Sequence, residues 1–169
     1  MKSSLKTSKE SLSKGSHKTF KPLILGVGNL LLSDDGVGVH VIKQLSKEDV
    51  NADLVDVGMG GFDILERILG YRKVIIIDSI ITGSEPGTIH RLTPGDLSTF
   101  PALSHTHSVD LPTSLKLGQQ LMADEMPDEI IIYAIEAEDI TTFNEDCTSK
   151  VKAAIPKVIK QIKNDLLSF

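Results

Sequence analysis

Four consecutive β-branched residues, Val74 to Ile77, stand between Lys73 and a carboxylate, Asp78, and they restrict the fold more than any other stretch. A run with no polar alternation reads as a strand buried on both faces, because a half-exposed strand would alternate. Such a strand needs a covering layer on each side. The run is also far short of the roughly 18–20 apolar residues that a membrane helix requires.

The rest of the chain supplies the neighbours and the covers. Leu23–Val27 is a second buried strand, set between Pro22 and Gly28-Asn29. Asp53–Val57 is a third, ended by the turn Gly58-Met59-Gly60-Gly61. Pro86-Gly87 marks a turn before a short strand at Thr88–Leu92, and Glu129–Ile135 is the fifth. Between them, Val37, Val41, Ile42 and Leu45 recur at helical spacing, as do Ile64, Leu65, Ile68 and Leu69. Ser33-Asp34-Asp35 supplies oxygens expected to cap the first of these helices. Pro94 to His107 lacks periodicity and reads as an irregular loop, and Pro112 suits the first turn of a helix running through Leu115 and Met122. The closing helix carries the apolar stripe Val151, Ala154, Ile155, Val158, Ile159 and Ile162, with Pro156 expected to kink or locally break it.

Strands alternating with helices imply an α/β chain with a largely parallel sheet covered on both faces. In open sheets of this kind sites gather outside the carboxyl ends of the strands. Asn29–Asp35, Gly58–Gly61 and Asp78 all follow strands, so they converge if those three strands are neighbours.

Charge separates the chain into two parts. Residues 1–21 carry six Lys and one Glu, whereas the whole chain has a net charge of −5. This Ser- and Lys-rich stretch reads as a mobile basic tail ahead of one domain spanning residues 22–169. It lacks the apolar core of a secretory signal and the Arg of a typical transit peptide. The acidic body argues against nucleic acid as a partner, since phosphate binding is dominated by Lys and Arg. The single cysteine, Cys147, excludes an intramolecular disulfide and fits a reducing compartment. It has no obvious His partner and reads as a small buried residue.

Several residues could carry chemistry. Gly26-Val27-Gly28 lacks the third glycine of a dinucleotide fingerprint, and the helix after it begins too late. Asp78, placed directly after buried aliphatics, is costly unless solvated, hydrogen-bonded or bound to metal. One of Asp34 and Asp35 can cap a helix, which leaves the other to point elsewhere. His105 and His107 add imidazole nitrogen ahead of a helix. Two carboxylates and an imidazole form a set of oxygen and nitrogen ligands suited to a divalent transition metal.

The stretch Gly26-Val27-Gly28-Asn29-Leu30-Leu31-Leu32-Ser33-Asp34-Asp35-Gly36-Val37-Gly38 resembles the N-terminal signature of hydrogenase maturation proteases. Ile76-Ile77-Asp78-Ser79, Pro86-Gly87-Thr88, Thr106-His107-Ser108 and the segment from Cys147 to Ile159 resemble later family features, in family order. The resemblance implies a three-layer α/β/α fold around a five-stranded mixed, mostly parallel twisted sheet, like that of phosphorylases and hydrolases. It implies an endopeptidase that removes the C-terminal extension of a nickel–iron hydrogenase large-subunit precursor once nickel is in place. Asp35, Asp78 and His107 would bind that nickel, contributed by the precursor, with Asp35 and Asp78 also the catalytic pair. Two mechanisms stand open for such an enzyme: a metal-polarised carbonyl or metal-bound water, or nickel as a recognition handle with Asp35, Asp78 or a nearby carboxylate such as Glu136 assisting a water as general base. A cytoplasmic monomer is expected, with neither membrane nor nucleic acid as partner. Two other readings stand beside this one: a nickel-dependent assembly factor that does not cut, and a small-molecule hydrolase or phosphorylase on a related sheet. The chain departs from the family pattern at Asp56-Val57-Gly58, where Asp-Gly-Gly is frequent, and at Ile135-Glu136-Ala137-Glu138, where many members carry proline.

Overall fold

The Val74–Ile77 run lies at the heart of the computed structural model, which describes residues 17–58, 61–99 and 111–168. Ile75, Ile76 and Ile77 are each fully buried, and each contributes roughly 1.5–3 kcal/mol relative to an exposed position. In chain order the elements are β1 (Leu23–Val27), α1 (Val37–Leu45), β2 (Asp53–Gly58), α2 (Gly61–Ile68), β3 (Lys73–Ile80), β4 (Ile89–Leu92), α3 (Leu111–Leu121), β5 (Glu129–Glu136) and α4 (Ser149–Leu167). The strands form one sheet in the order β2-β1-β3-β5-β4. All pairings are parallel except that of β4 with β5.

Alternation along the strands sorts the core into two halves. Leu23, Leu25, Val74, Ile76, Ile130 and Ile132 face α2 and α3, packing with Ile64, Ile68 and Leu115. Ile24, Ile75, Ile77, Ile131 and Tyr133 face α1 and α4, packing with Val41, Leu45, Val158 and Ile162. The three-layer mixed sheet expected from the sequence is the fold observed.

Four local expectations are corrected. β3 does not stop at Asp78: it continues to Ile80, because β5 pairs with it as far as Ile80↔Glu136 while β1 is left behind at Gly26↔Ile77. Part of the segment expected to be irregular, Pro94–Thr99, is a 3₁₀ helix that buries Leu97. The local break weighed at Pro156 does not occur, since α4 runs from Ser149 to Leu167. Pro156 and Lys152 lie on the solvent face, so the Lys152 carbonyl that loses its helical donor can turn to water. Finally, the described end of the basic stretch is tied to the body: Thr19 bridges Tyr71, and its N–H donates to the Gly70 carbonyl at 2.8 Å. Lys18 and Lys21 pair there with Asp128 and Asp53.

Candidate active site at the strand ends

The site begins with how closely α1 lies on the sheet. A Cβ added to Gly38 would sit 2.5 Å from the carbonyl oxygens of both Val27 and Ile77, and one added to Gly26 would sit 2.4 Å from the Gly38 oxygen. No side chain fits between helix and strands at Gly26 and Gly38, so the turn ahead of α1 is drawn down over the carboxyl ends of β1 and β3. Gly28 permits the chain to leave β1 there: its φ of 128° suits glycine alone, and an added Cβ would fall on the Asp35 carbonyl. That turn is a 3₁₀ helix, Ser33–Gly36, entered through Ser33 at a φ of 49°. The strained serine is held by its neighbours: its N–H donates to the Asn144 carbonyl at 2.7 Å and its hydroxyl to the Asp146 carbonyl at 3.3 Å.

Asp34 and Asp35 are both fully buried and face different parts of the molecule. Asp34 does not cap α1, whose N-cap position is Gly36. Asp34 instead gathers the β5–α4 connection. Its Oδ1 accepts from the Thr148 N–H at 2.7 Å, and its Oδ2 from the N–H groups of Glu138 and Asp139 and the Thr148 hydroxyl at 2.9, 3.0 and 2.9 Å. With both oxygens so occupied, Asp34 is a structural knot.

Asp35 turns inward to the strand ends. Its Oδ2 accepts from the Asn29 N–H at 2.8 Å, and its Oδ1 accepts a long 3.3 Å bond from the Ser79 hydroxyl. The Ser79 N–H in turn donates to Asp78 Oδ1 at 2.8 Å. Asp35, Ser79 and Asp78 thus form one polar string where β3 outruns β1. This is also where the strand order reverses: the chain leaves β1 for β2 on one side and returns to β3 on the other. Crevices at such a switch point are the usual ligand sites of open α/β sheets. By strand alternation, Ser79 lies on the α1/α4 face with Ile77, and Asp78 on the α2/α3 face with Ile76 and Ile80.

Of the residues read from the sequence, the structure places Asp35 and Asp78 at the same end of the sheet and links them through Ser79. His105 and His107 lie outside the described residues. Glu136 is 1% exposed and already committed: Oε1 accepts from the N–H groups of Thr82 and Gly83 at 2.7 and 2.9 Å, and Oε2 from the Thr82 hydroxyl at 2.7 Å. It anchors the loop after β3, which makes it a poor general base. Cys147 is buried, and that burial, with Asp34 and Asp146 nearby, pushes its thiol up to about 12, so it stays protonated and inert at neutral pH. Ser79 and Asn29 are the polar partners that sequence reading missed. The only signal for Ser79 was a second polar residue following the apolar run directly after Asp78.

This fold agrees with a match to known proteins. The model for hydrogenase maturation proteases matches residues 39–165, and the chain belongs to that family. It is similar to the hydrogenase 2 maturation protease of Escherichia coli K12, 28% identical over 148 residues that cover 83% of this chain and 87% of that protein. It is also similar to the coenzyme F420 hydrogenase subunit delta of Methanothermobacter thermautotrophicus, 27% identical over 154 residues, covering 85% and 93%. Among solved structures, the hydrogenase maturating endopeptidase HybD of E. coli superposes with a TM-score of 0.75 at 24% identity, over 88% of this chain and 93% of that one. It shares the fold. Among the described residues no helix is long and apolar enough to cross a membrane.

Proposed function

We propose that this protein is the endopeptidase that removes the C-terminal extension of a nickel–iron hydrogenase large-subunit precursor, and that it reads the nickel already inserted there. The observation that carries this reading is the Asp35–Ser79–Asp78 string at the β1/β3 switch point; the motif residue His107 is proposed as the third ligand. Two carboxylate oxygens and an imidazole suit a first-row divalent ion, and no thiolate is among them. The fit is supported by placement: Asp35 Oδ1 and Asp78 Oδ1 are joined through Ser79 at the carboxyl ends of β1 and β3. An incomplete set of three leaves positions that the precursor fills with its own ligands. The metal belongs to the substrate, and affinity is shared between the metal and the protein surface.

Amide hydrolysis needs a water aimed at the carbonyl carbon, a base for its proton and charge to oppose the developing oxyanion. Asp35 and Asp78 are the groups here that can take the proton. Nickel held between them and the precursor serves as the positioning mark, so cleavage waits until the metal is present. The protein acts as a cytoplasmic monomer on this reading. Incubating the purified chain with nickel-loaded precursor and weighing the product tests it. Loss of a single C-terminal peptide is expected. Stable binding with no mass change would make the protein an assembly factor instead.

A further inference from the structure

Three large apolar side chains stand exposed on the loops that leave the three central strands: Leu31 after β1, Ile81 after β3 and Phe143 after β5. Phe143 is 78% exposed, Ile81 46% and Leu31 39%. They share one end of the sheet with Asp35 and Asp78. Leu31 and Phe143 are brought side by side, since the Asn144 N–H donates to the Leu31 carbonyl at 3.0 Å and Leu32 bridges Asn144. Ile81 directly follows the end of β3, two residues beyond Ser79, whose hydroxyl reaches Asp35.

The exposure of Phe143 does not come from a slack loop. Asp139 Oδ1 accepts from the N–H groups of Thr141 and Thr142 and from the Thr141 hydroxyl at 2.9, 3.0 and 3.1 Å. The Thr142 side chain, followed by the Thr141 and Thr142 N–H groups, holds the Asp139 carboxyl well below its usual range. Beyond the ring, Asn144 Oδ1 accepts from the Asp146 N–H at 3.0 Å, and Asp34 holds Thr148. A fixed backbone thus presents an aromatic ring to water, where it adds nothing to the core. Pre-organised aromatic anchors of this kind carry the binding energy of many interfaces, because little freedom is lost when they dock.

We propose that Leu31, Ile81 and Phe143 form the docking rim for the precursor polypeptide, taking apolar side chains of the segment presented to Asp35 and Asp78. This rests on the reading of the protein as acting on that precursor. The occupant is a polypeptide with apolar side chains because the three exposed rim side chains are apolar and share the sheet end with Asp35 and Asp78, where the chain would be cut. A second copy of this protein is the competing occupant.

The test titrates nickel-loaded precursor against the wild type, Phe143→Ser, the triple variant Leu31→Ser/Ile81→Ser/Phe143→Ser, and Phe143→Tyr, which keeps the ring. Dissociation constant, KM for cleavage and thermal midpoint are all measured. Leu121→Ser removes a side chain 70% exposed on α3 and serves as control. The expected result is a rise of about tenfold in Kd and KM for Phe143→Ser and more for the triple variant. Phe143→Tyr and Leu121→Ser should stay within about twofold of wild type, with all midpoints retained. Unchanged Kd and KM in the triple variant would overturn the rim. So would a wild type that self-associates through Phe143 and releases the precursor unaffected. If the wild type binds but does not cut, and the rim variants lose binding, the rim stands and the peptidase reading falls. If the wild type neither binds nor cuts, both fall.

Discussion

Asp34 Oδ1 accepts the Thr148 N–H at 2.7 Å across 114 residues of sequence, while the adjacent Asp35 is turned the opposite way to Ser79. Two consecutive buried aspartates therefore do two jobs. One ties the N-terminus of α4 to the turn after β1; the other stands at the strand ends. Replacing Asp34 by Ala leaves three backbone N–H groups and a hydroxyl without their acceptor. The expected cost is about 2–4 kcal/mol, or roughly 5–15 °C in melting temperature. Asn should rescue little, since all four partners are donors and an amide offers one acceptor oxygen. A wild-type melting temperature for Asp34→Ala would show that the knot is dispensable.

Asp35→Asn and Asp78→Asn should behave differently. The amide oxygen at position 35 can still accept from Asn29, and the Ser79 hydroxyl can rotate to accept from the new NH₂. Both variants are expected to melt within about 3 °C of wild type while losing precursor cleavage. Retained cleavage in either would remove that residue from the site.

Gly38 is a test of how the site is placed. A methyl group there would meet the carbonyls of Val27 and Ile77 at 2.5 Å, so α1 must lift from the sheet and carry the Asp35 turn with it. Gly38→Ala should lose about 1–3 kcal/mol together with activity. A stable, fully active Gly38→Ala would mean that α1 does not set the position of Asp35.

Cys147→Ser should cleave precursor at the wild-type rate, and native protein should resist alkylation at neutral pH, since burial holds the thiol protonated. Rapid modification by iodoacetamide with loss of activity would contradict this.

Acid stability follows from Asp165. Burial opposes its ionisation, but hydrogen bonds from Arg91 and Tyr133 outweigh that and keep its carboxyl below the ordinary value. A carboxyl depressed in the folded state contributes stability above its unfolded value of about 4. That contribution is lost as the pH falls through the depressed value. Melting should therefore decline below about pH 4, and Asp165→Asn should melt lower at pH 7 with a shallower acid decline. An unchanged acid limb in Asp165→Asn would place the sensitive groups elsewhere.

The features legible in the sequence were those written in local pattern. β3 announced itself by its aliphatics, α4 by its stripe, and Asp35 and Asp78 by lying next to strand ends. What stayed hidden depended on distant partners. Nothing near Asp34 in sequence shows that Glu138, Asp139 and Thr148 aim their donors at it, so a cap was the natural reading. Glu136 looked like a spare carboxylate because the N–H groups that occupy it belong to Thr82 and Gly83 on another strand's exit. β3 ran past Asp78 because β5 supplied a partner there, which residue type alone does not reveal. The pairing of Thr19 with Tyr71 was hidden by the Lys-rich composition around it.

We propose that Asp35, Asp78 and His107 read a metal that the precursor carries. The most direct measurement of this is cleavage of nickel-loaded and metal-free precursor by one enzyme preparation, the metal-free reaction run under chelator and followed by mass. The account predicts that the nickel-loaded precursor loses its C-terminal peptide and the metal-free precursor stays whole. Equal cleavage of both would contradict it, and these three residues would then need another role.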